Sequence, residues 1–238
     1  MKSYVIHLIR NMPCEGNLEG RYIGRTESPL ALESIAQLAR RKRQYQYPAA
    51  AAFYASPSTR CVDTLKILYP QADPEVVLEL AECDFGEWEG KTAKELQNDP
   101  RFAAWMAGGG AAAPPGGESG AVFVQRVCQG FELLVKNLMA QGQTSAVLVT
   151  TAGVMGSLLE AYGLPQAPAH QWMCQPGCGY SVRITPGLWM RSGVMEVFAQ
   201  LPGGEDRESP DHLVVDLARV AAQRAYGSGD GGSPETEA

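Results

Sequence analysis

The chain has 238 residues, 45% of them hydrophobic and 19% charged, with a net charge of −6. That length suits one large α/β domain or two small ones, and the mild acidity leaves no electrostatic footprint for nucleic acid or an anionic membrane. No apolar run is long enough to span a bilayer.

The opening MKSYVIHLIRN has too short an apolar core for a signal peptide and no small-residue cleavage site, so it reads as a first strand, residues 3–10, running into the turn-prone NMPCEGN. Ser28 and Pro29 predict a helix start, with a capping side chain and then proline at the first helical position. That helix runs to about Arg43 with Leu30, Ile35 and Leu38 on its apolar side. Residues 50–56 form a second strand, residues 58–69 a helix carrying Val62, Leu65 and Leu68, and EVVLEL (75–80) a third strand. Residues 91–106 read as helical with a break at Pro100, and GGGAAAPPGG (108–117) as a flexible surface connection. A long helix over 118–141 aligns Val122, Val127, Phe131, Leu134 and Leu138. SAVLVT (145–150) is a strand, 154–163 a helix stopped by Gly163, and 179–201 holds the strand-like YSVRI and GVMEVFAQL.

Strands alternating with helices predict a three-layer α/β sandwich, a mostly parallel central sheet with helices on both faces. The domain is placed at residues 1–202. Residues 203–238 read as a polar linker, an amphipathic helix with Leu213, Leu217, Val220 and Ala221 on one face, and a disordered tail. That helix docks on its own core, caps a sheet edge or forms a homodimer contact. The six cysteines, Cys14, Cys61, Cys83, Cys128, Cys174 and Cys178, lack framework spacing and read as reduced thiols of a cytoplasmic protein. Cys174 and Cys178 have no second Cys/His pair to complete a zinc site, and no metal or cofactor is expected.

Five ordered blocks carry a resemblance. Leu8-Ile9-Arg10-Asn11 runs on to Asn17 and to Gly20-Arg21-Tyr22-Ile23-Gly24-Arg25-Thr26. Ser56-Pro57-Ser58-Thr59-Arg60, Glu82-Cys83-Asp84-Phe85-Gly86-Glu87-Trp88-Glu89-Gly90, Gly116-Gly117-Glu118-Ser119 and Val149-Thr150-Thr151-Ala152-Gly153-Val154 follow. Together, over about residues 1–200, they resemble the histidine phosphatase (phosphoglycerate-mutase-like) superfamily. In that family two arginines bind a phosphoryl group, one histidine attacks phosphorus, a second stabilises the moving charge, and a carboxylic acid protonates the leaving oxygen. The resemblance implies that Arg10 and Arg60 are the phosphate-binding arginines, Asn17 a polar residue of the phosphate loop and Glu82 the acid. It also implies that Asn11 and Thr151 occupy the two histidine positions. Met12 and Ala152 replace the glycines that follow them. An amide nitrogen is delocalised into its carbonyl and cannot act as the nucleophile.

No other histidine matches a catalytic position: His7 lies more than about 10 Å back along the first strand, His170 in a Pro-flanked loop and His212 in the tail. Cys14, between arginines, is a candidate thiolate, but cysteine phosphatases carry an arginine six residues on, where this chain has Gly20. Its other reading is a small residue in place of Ser or Thr. The expected partner is phosphate or a phosphorylated small molecule, with no nucleic acid and no membrane. Three readings stay open: a catalytically inactive phosphate-binding protein, a phosphomonoester phosphatase working by a non-standard route, and a structural or interaction module. The Phe85–Gly90 block looks more like the small-metabolite phosphatase branch, such as α-ribazole phosphatases, than like the glycolytic mutases.

Overall fold

The computed structural model describes residues 2–108 and 112–203. β1 (Tyr4–Arg10) runs into the single turn α1 (Glu15–Leu18), and α2 (Leu32–Gln44) precedes β2 (Ala52–Ala55). α3 (Thr59–Leu68) leads to β3 (Glu75–Val76), followed by two 3-10 turns, Leu78–Leu80 and Gly86–Trp88. Next come α4 (Ala93–Leu96), α5 (Pro100–Ala107) and the long α6 (Gly120–Gln141). β4 (Ser145–Thr150), α7 (Ala152–Tyr162), β5 (Gly163–Leu164), a 3-10 turn at Ala169–Trp172, β6 (Gly179–Ile184), α8 (Pro186–Ser192) and β7 (Met195–Leu201) complete the described chain. The seven strands make one sheet in the order β3-β2-β4-β1-β6-β7-β5. β6 runs antiparallel to both its neighbours, and the other pairings are parallel.

Burial on both faces explains why SAVLVT is almost wholly apolar: β4 sits in the middle of the sheet with helices on each side. On one face α6 and α7 bury Phe131, Leu134, Leu138, Leu158 and Leu159 against Ile6, Leu8 and Leu148. On the other, α2 and α3 bury Leu38, Cys61, Leu65 and Leu68 against Ile9, Val147 and Val149. Local signals set the helix ends. Asp99 accepts a hydrogen bond from the Arg101 amide with Pro100 in the first turn of α5, and the Ser119 hydroxyl accepts from the Val122 amide to start α6. Gly142, at φ +68°, ends α6 in the left-handed conformation that glycine adopts freely. A small aromatic cluster of Trp88, Phe102 and Trp105, with Tyr22 and Phe85 against it, packs α5 onto the 85–90 segment.

Several expectations are corrected. The second helix starts at Leu32, not at Ser28-Pro29, because the Ser28 hydroxyl accepts the Gly16 amide, the Pro29 carbonyl accepts the Glu15 amide and Leu30 bridges Cys14. Its buried side carries Ser34 and Leu38, and Ile35 faces solvent at 37% exposure. Residues 75–80 split into the two-residue β3 and a 3-10 turn, because only Glu75 and Val76 find ladder partners on β2. Val122 is exposed on the first turn of α6, whereas the expected strand pieces YSVRI and GVMEVFAQL do form β6 and β7, with α8 between them. The expected C-terminal helix, its homodimer contact and His212 lie outside the described residues.

Removing a large side chain from the middle of the α6 layer leaves a void that close packing cannot refill. Phe131→Ala is expected to lower unfolding free energy by about 3–5 kcal/mol in denaturant titrations. Ile35→Ala, on the solvent side of α2, is expected to change it by no more than about 0.5 kcal/mol.

Candidate functional site

Sheet register brings the site together. β1 and β4 run parallel with Arg10 opposite Thr150, and β2 lies on the far side of β4 with Ala55 opposite Val149. Parallel strands release their loops at the same edge, so Asn11, Thr151 and the 56–60 segment leave the sheet side by side. Hydrogen bonds carry the pairing past the strand ends: the Asn11 amide donates to Thr150 O at 2.8 Å and the Ser56 amide to Val149 O at 3.0 Å. Two helices then start at this edge, α3 behind Ser58 and α7 behind Thr151. Their N-termini present amide donors and the positive ends of their dipoles.

Here lies a cavity of about 300 Å³ lined by Arg10, Asn11, Pro13, Asn17, Ile23, Arg60, Glu82, Thr151, Ala152 and Pro176. It brings together all six residues singled out from the sequence: Arg10, Asn11, Asn17, Arg60, Glu82 and Thr151. Arg60 is 2% exposed, and its Nη2 donates to Ile23 O and Gly24 O at 3.1 Å each. Arg60 Nη1 and the Thr151 hydroxyl oxygen are both buried with no hydrogen-bond partner among the described residues. Arg10 Nη1 donates to Cys174 O at 2.5 Å, while the main chain of Arg10 pairs with Cys178 and Gly177. Asn11 spends its side-chain amide on Met12 O at 2.7 Å. The Glu82 carboxylate accepts from the Cys83 amide at 2.8 Å and the Gly153 amide at 3.3 Å. A Cβ at position 153 would run into that carboxylate, which accounts for glycine there while Ala152 is tolerated next door.

Other candidates fall away from the cavity. Cys14 is fully buried, its thiol donates to Asn17 Oδ1 at 3.0 Å, and it does not line the cavity. His7 is half-buried in β1 with Nδ1 2.8 Å from the Ser181 hydroxyl, and burial lowers its pKa. His170 is exposed on the Ala169–Trp172 turn. Cys174 and Cys178 are in no disulfide, and no cluster of three or more His, Cys, Asp or Glu able to hold a metal occurs among the described residues. Glu82 itself was expected at the end of the third strand. It lies instead beyond the Leu78–Leu80 turn, six residues past the strand, and reaches the cavity edge through that turn.

Three supporting side chains are not apparent from the motifs. Arg126 of α6 donates to Glu79 O, Ala81 O and Glu82 O at 2.6, 3.0 and 3.4 Å, and pairs with Glu118 at 2.5 Å. It fastens the segment that presents Glu82. Glu118 also accepts the Asp84 amide at 3.0 Å. Glu89 accepts four main-chain amides, from Gly24, Arg25, Thr26 and Phe85, at 2.9–3.2 Å. It thus holds the loop whose carbonyls orient Arg60. Burial pushes the Glu89 carboxyl up, but hydrogen bonds from Arg25, Thr26, Phe85 and Gly24 outweigh it and hold it below the usual range. The only sequence signal for Glu89 was an acidic residue inside a glycine-bounded aromatic turn. Arg126, in the middle of a helix, gave none.

A folded pKa held below the unfolded value means that Glu89 contributes stability above its unfolded pKa, near 4.3, and loses it as pH falls through the folded value. Acid titration of thermal stability is expected to show this loss in the wild type. Glu89→Gln should be less stable at neutral pH and should lack that component of the acid transition.

Residues 6–193 match the family model described as Histidine phosphatase superfamily (branch 1). The chain is 27% identical over 198 residues to the adenosylcobalamin/α-ribazole phosphatase of Salmonella typhimurium, covering 82% of this chain and 92% of that one. The α-ribazole phosphatase of Shigella flexneri has the same fold, with TM-score 0.68 at 23% identity over 81% of this chain and 94% of that one. A Thermus thermophilus protein designated TTHB049 superposes with TM-score 0.58 at 30% identity, over 83% of this chain and 98% of its own.

Proposed function

Because the chain belongs to the histidine phosphatase superfamily, we propose that its cavity binds the phosphate of a phosphorylated small molecule, and that it does so without the phosphohistidine route. One observation carries the binding half of this reading. Arg60 Nη1 and the Thr151 hydroxyl, on two residues that line the cavity, are buried without a partner among the described residues. Leaving a buried polar group unsatisfied costs about 1–3 kcal/mol, and an anionic ligand would recover it. Arg10 and Arg60 would form the clamp, since a guanidinium fork matches phosphate oxygens. Asn17 and the start of α7 would add donors.

The other half rests on residue chemistry. The family's two histidine positions correspond by motif to Asn11 and Thr151, and among the described residues no histidine lines the cavity. Asn11 has its amide nitrogen committed to Met12 O. Glu82 keeps the acid position, with no imidazole to work alongside it. The unit that would act is residues 1–202, with 203–238 as an appendage, and six cysteines in no disulfide support a reducing, cytoplasmic setting. No helix among the described residues is long and apolar enough to cross a membrane.

A second reading is favoured by the likeness to adenosylcobalamin/α-ribazole phosphatases over nine-tenths of their length. On it, the chain hydrolyses a small-metabolite phosphomonoester by a route with no phosphohistidine, water attacking phosphorus and Glu82 managing the protons. p-Nitrophenyl phosphate and α-ribazole phosphate separate the two. The first reading expects no hydrolysis above background together with thermal stabilisation by phosphate, about 2.7 kcal/mol at a hundredfold excess over Kd, lost in Arg60→Met. Hydrolysis that disappears in Arg60→Met establishes the second. If phosphate leaves the melting temperature unchanged and hydrolysis is also absent, the cavity is a relic and the structural-module reading stands.

A reconstruction tests the imidazoles directly. Met12 is 1% exposed and packs in the core beside Leu38, so replacing it by glycine would open a cavity. Asn11→His with Thr151→His avoids that damage. The double variant is expected to gain weak phosphatase activity and either single variant almost none, because members of one catalytic unit act non-additively. A double variant that folds and binds phosphate yet hydrolyses nothing would mean that the cavity is shaped for a different task.

A further inference from the structure

The Glu82 carboxylate shares the cavity with Arg10 and Arg60, and among the described residues no other lining residue is charged, so with Glu82 ionised these walls carry one net positive charge. Both of its hydrogen-bond partners in the protein, the amides of Cys83 and Gly153, are donors. An ionised carboxylate has about four lone-pair sites and accepts only. Two of them are therefore taken by main chain, and whatever else meets Glu82 must bring a proton. An oxyanion pressed between the two arginines meets this carboxylate as well. A fully ionised oxygen there would face like charge in a partly buried site.

On the anion-pocket reading above, we propose that the cavity selects a tetrahedral oxyanion that keeps a proton, the monoanion of phosphate or of a phosphate monoester. It rejects fully ionised sulfate of the same shape. The ligand's O–H donates to Glu82, while its other oxygens accept from Arg10, Arg60 and the Thr151 hydroxyl. The single net charge of the walls matches a single charge on the ligand. Selectivity then resides in the proton, because size and shape are the same for both anions.

The surrounding groups leave the ligand's own ionisation as the source of pH dependence. The charged or titratable groups near Glu82 are Arg10 from β1, Arg60 and Cys61 from α3, Cys83 and Asp84 beside it, and Arg126 of α6 paired with Glu118. α7 presents the Gly153 amide. Burial pushes the thiols of Cys61 and Cys83 each up to about 12, and burial of Glu118 is outweighed by Arg126, which holds its pKa below the usual carboxylate range. Among the described residues, no histidine lines the cavity wall.

Isothermal titration calorimetry of the full chain with inorganic phosphate and with sulfate tests this at about pH 5.5 and about pH 8.5, either side of the second ionisation of a phosphate. Phosphate is expected to bind about tenfold or more tighter than sulfate at the lower pH, and the preference should persist at the higher, where the hydrogenphosphate dianion still carries the one O–H that sulfate lacks. Glu82→Gln, whose amide both donates and accepts, should remove the preference by admitting sulfate. Equal affinity for the two anions at the lower pH, or a preference unchanged in Glu82→Gln, would overturn the selectivity and leave the anion pocket standing. Failure of both anions to bind would overturn the pocket reading and the selectivity with it.

Discussion

Everything at the site depends on the parallel pairing of β1 with β4, in which Arg10 lies opposite Thr150 and the Asn11 amide is bonded to the Thr150 carbonyl. Side chains alternate across a strand, so a slip of one residue would send Arg10 to the opposite face and turn Leu8 and Leu148 out of their core. The apolar content of β4, buried on both faces, excludes that slip. With β2 added in parallel on the other side of β4, three loops leave one edge of the sheet within a few residues of one another. Asn11, Arg60 and Thr151, distant in sequence, become neighbours because strand direction is fixed before any side chain at the site is chosen.

That edge holds unpaired polarity at a cost. Arg60 lies in the protein interior with one nitrogen satisfied by the carbonyls of Ile23 and Gly24 and the other by nothing among the described residues. A buried cation is tolerable only when charges and dipoles nearby compensate it. Two loop carbonyls supply part of that compensation. The remainder is left unmet among the described residues.

The supporting contacts explain how flexible loops hold such a site still. Glu89 gathers the amides of residues 24–26 and 85, which places the Ile23 and Gly24 carbonyls under Arg60. Arg126 performs the matching task on the other wall, bonding three carbonyls around Glu82 while anchored by Glu118. Arg10 is steadied through Cys174, Gly177 and Cys178, the same turn that brings Pro176 to the cavity. Arg10, Arg60 and the segment that carries Glu82 are thus held by groups far from them in sequence.

Sequence alone determined the layer architecture, since strands alternating with helices and a doubly buried SAVLVT admit few arrangements. It also singled out six of the ten residues that line the cavity, because their motifs occur in order along the chain. It misplaced the start of α2, because a Ser-Pro pair that looks like a cap spends its hydroxyl on the Gly16 amide, a partner visible only in three dimensions. It overextended β3 for a related reason: a strand lasts only as long as its neighbour offers ladder partners, and β2 offers two. Tertiary structure alone decided that Cys14 is sealed inside and bonded to Asn17, that among the described residues no histidine reaches the cavity wall, and that Glu89 and Arg126 position the walls. The physical reason is one of range. Propensity, capping and periodicity act over a few residues, whereas burial, carbonyl clamps and the pairing of strands join residues tens of positions apart, so their outcome is written only in the packed fold.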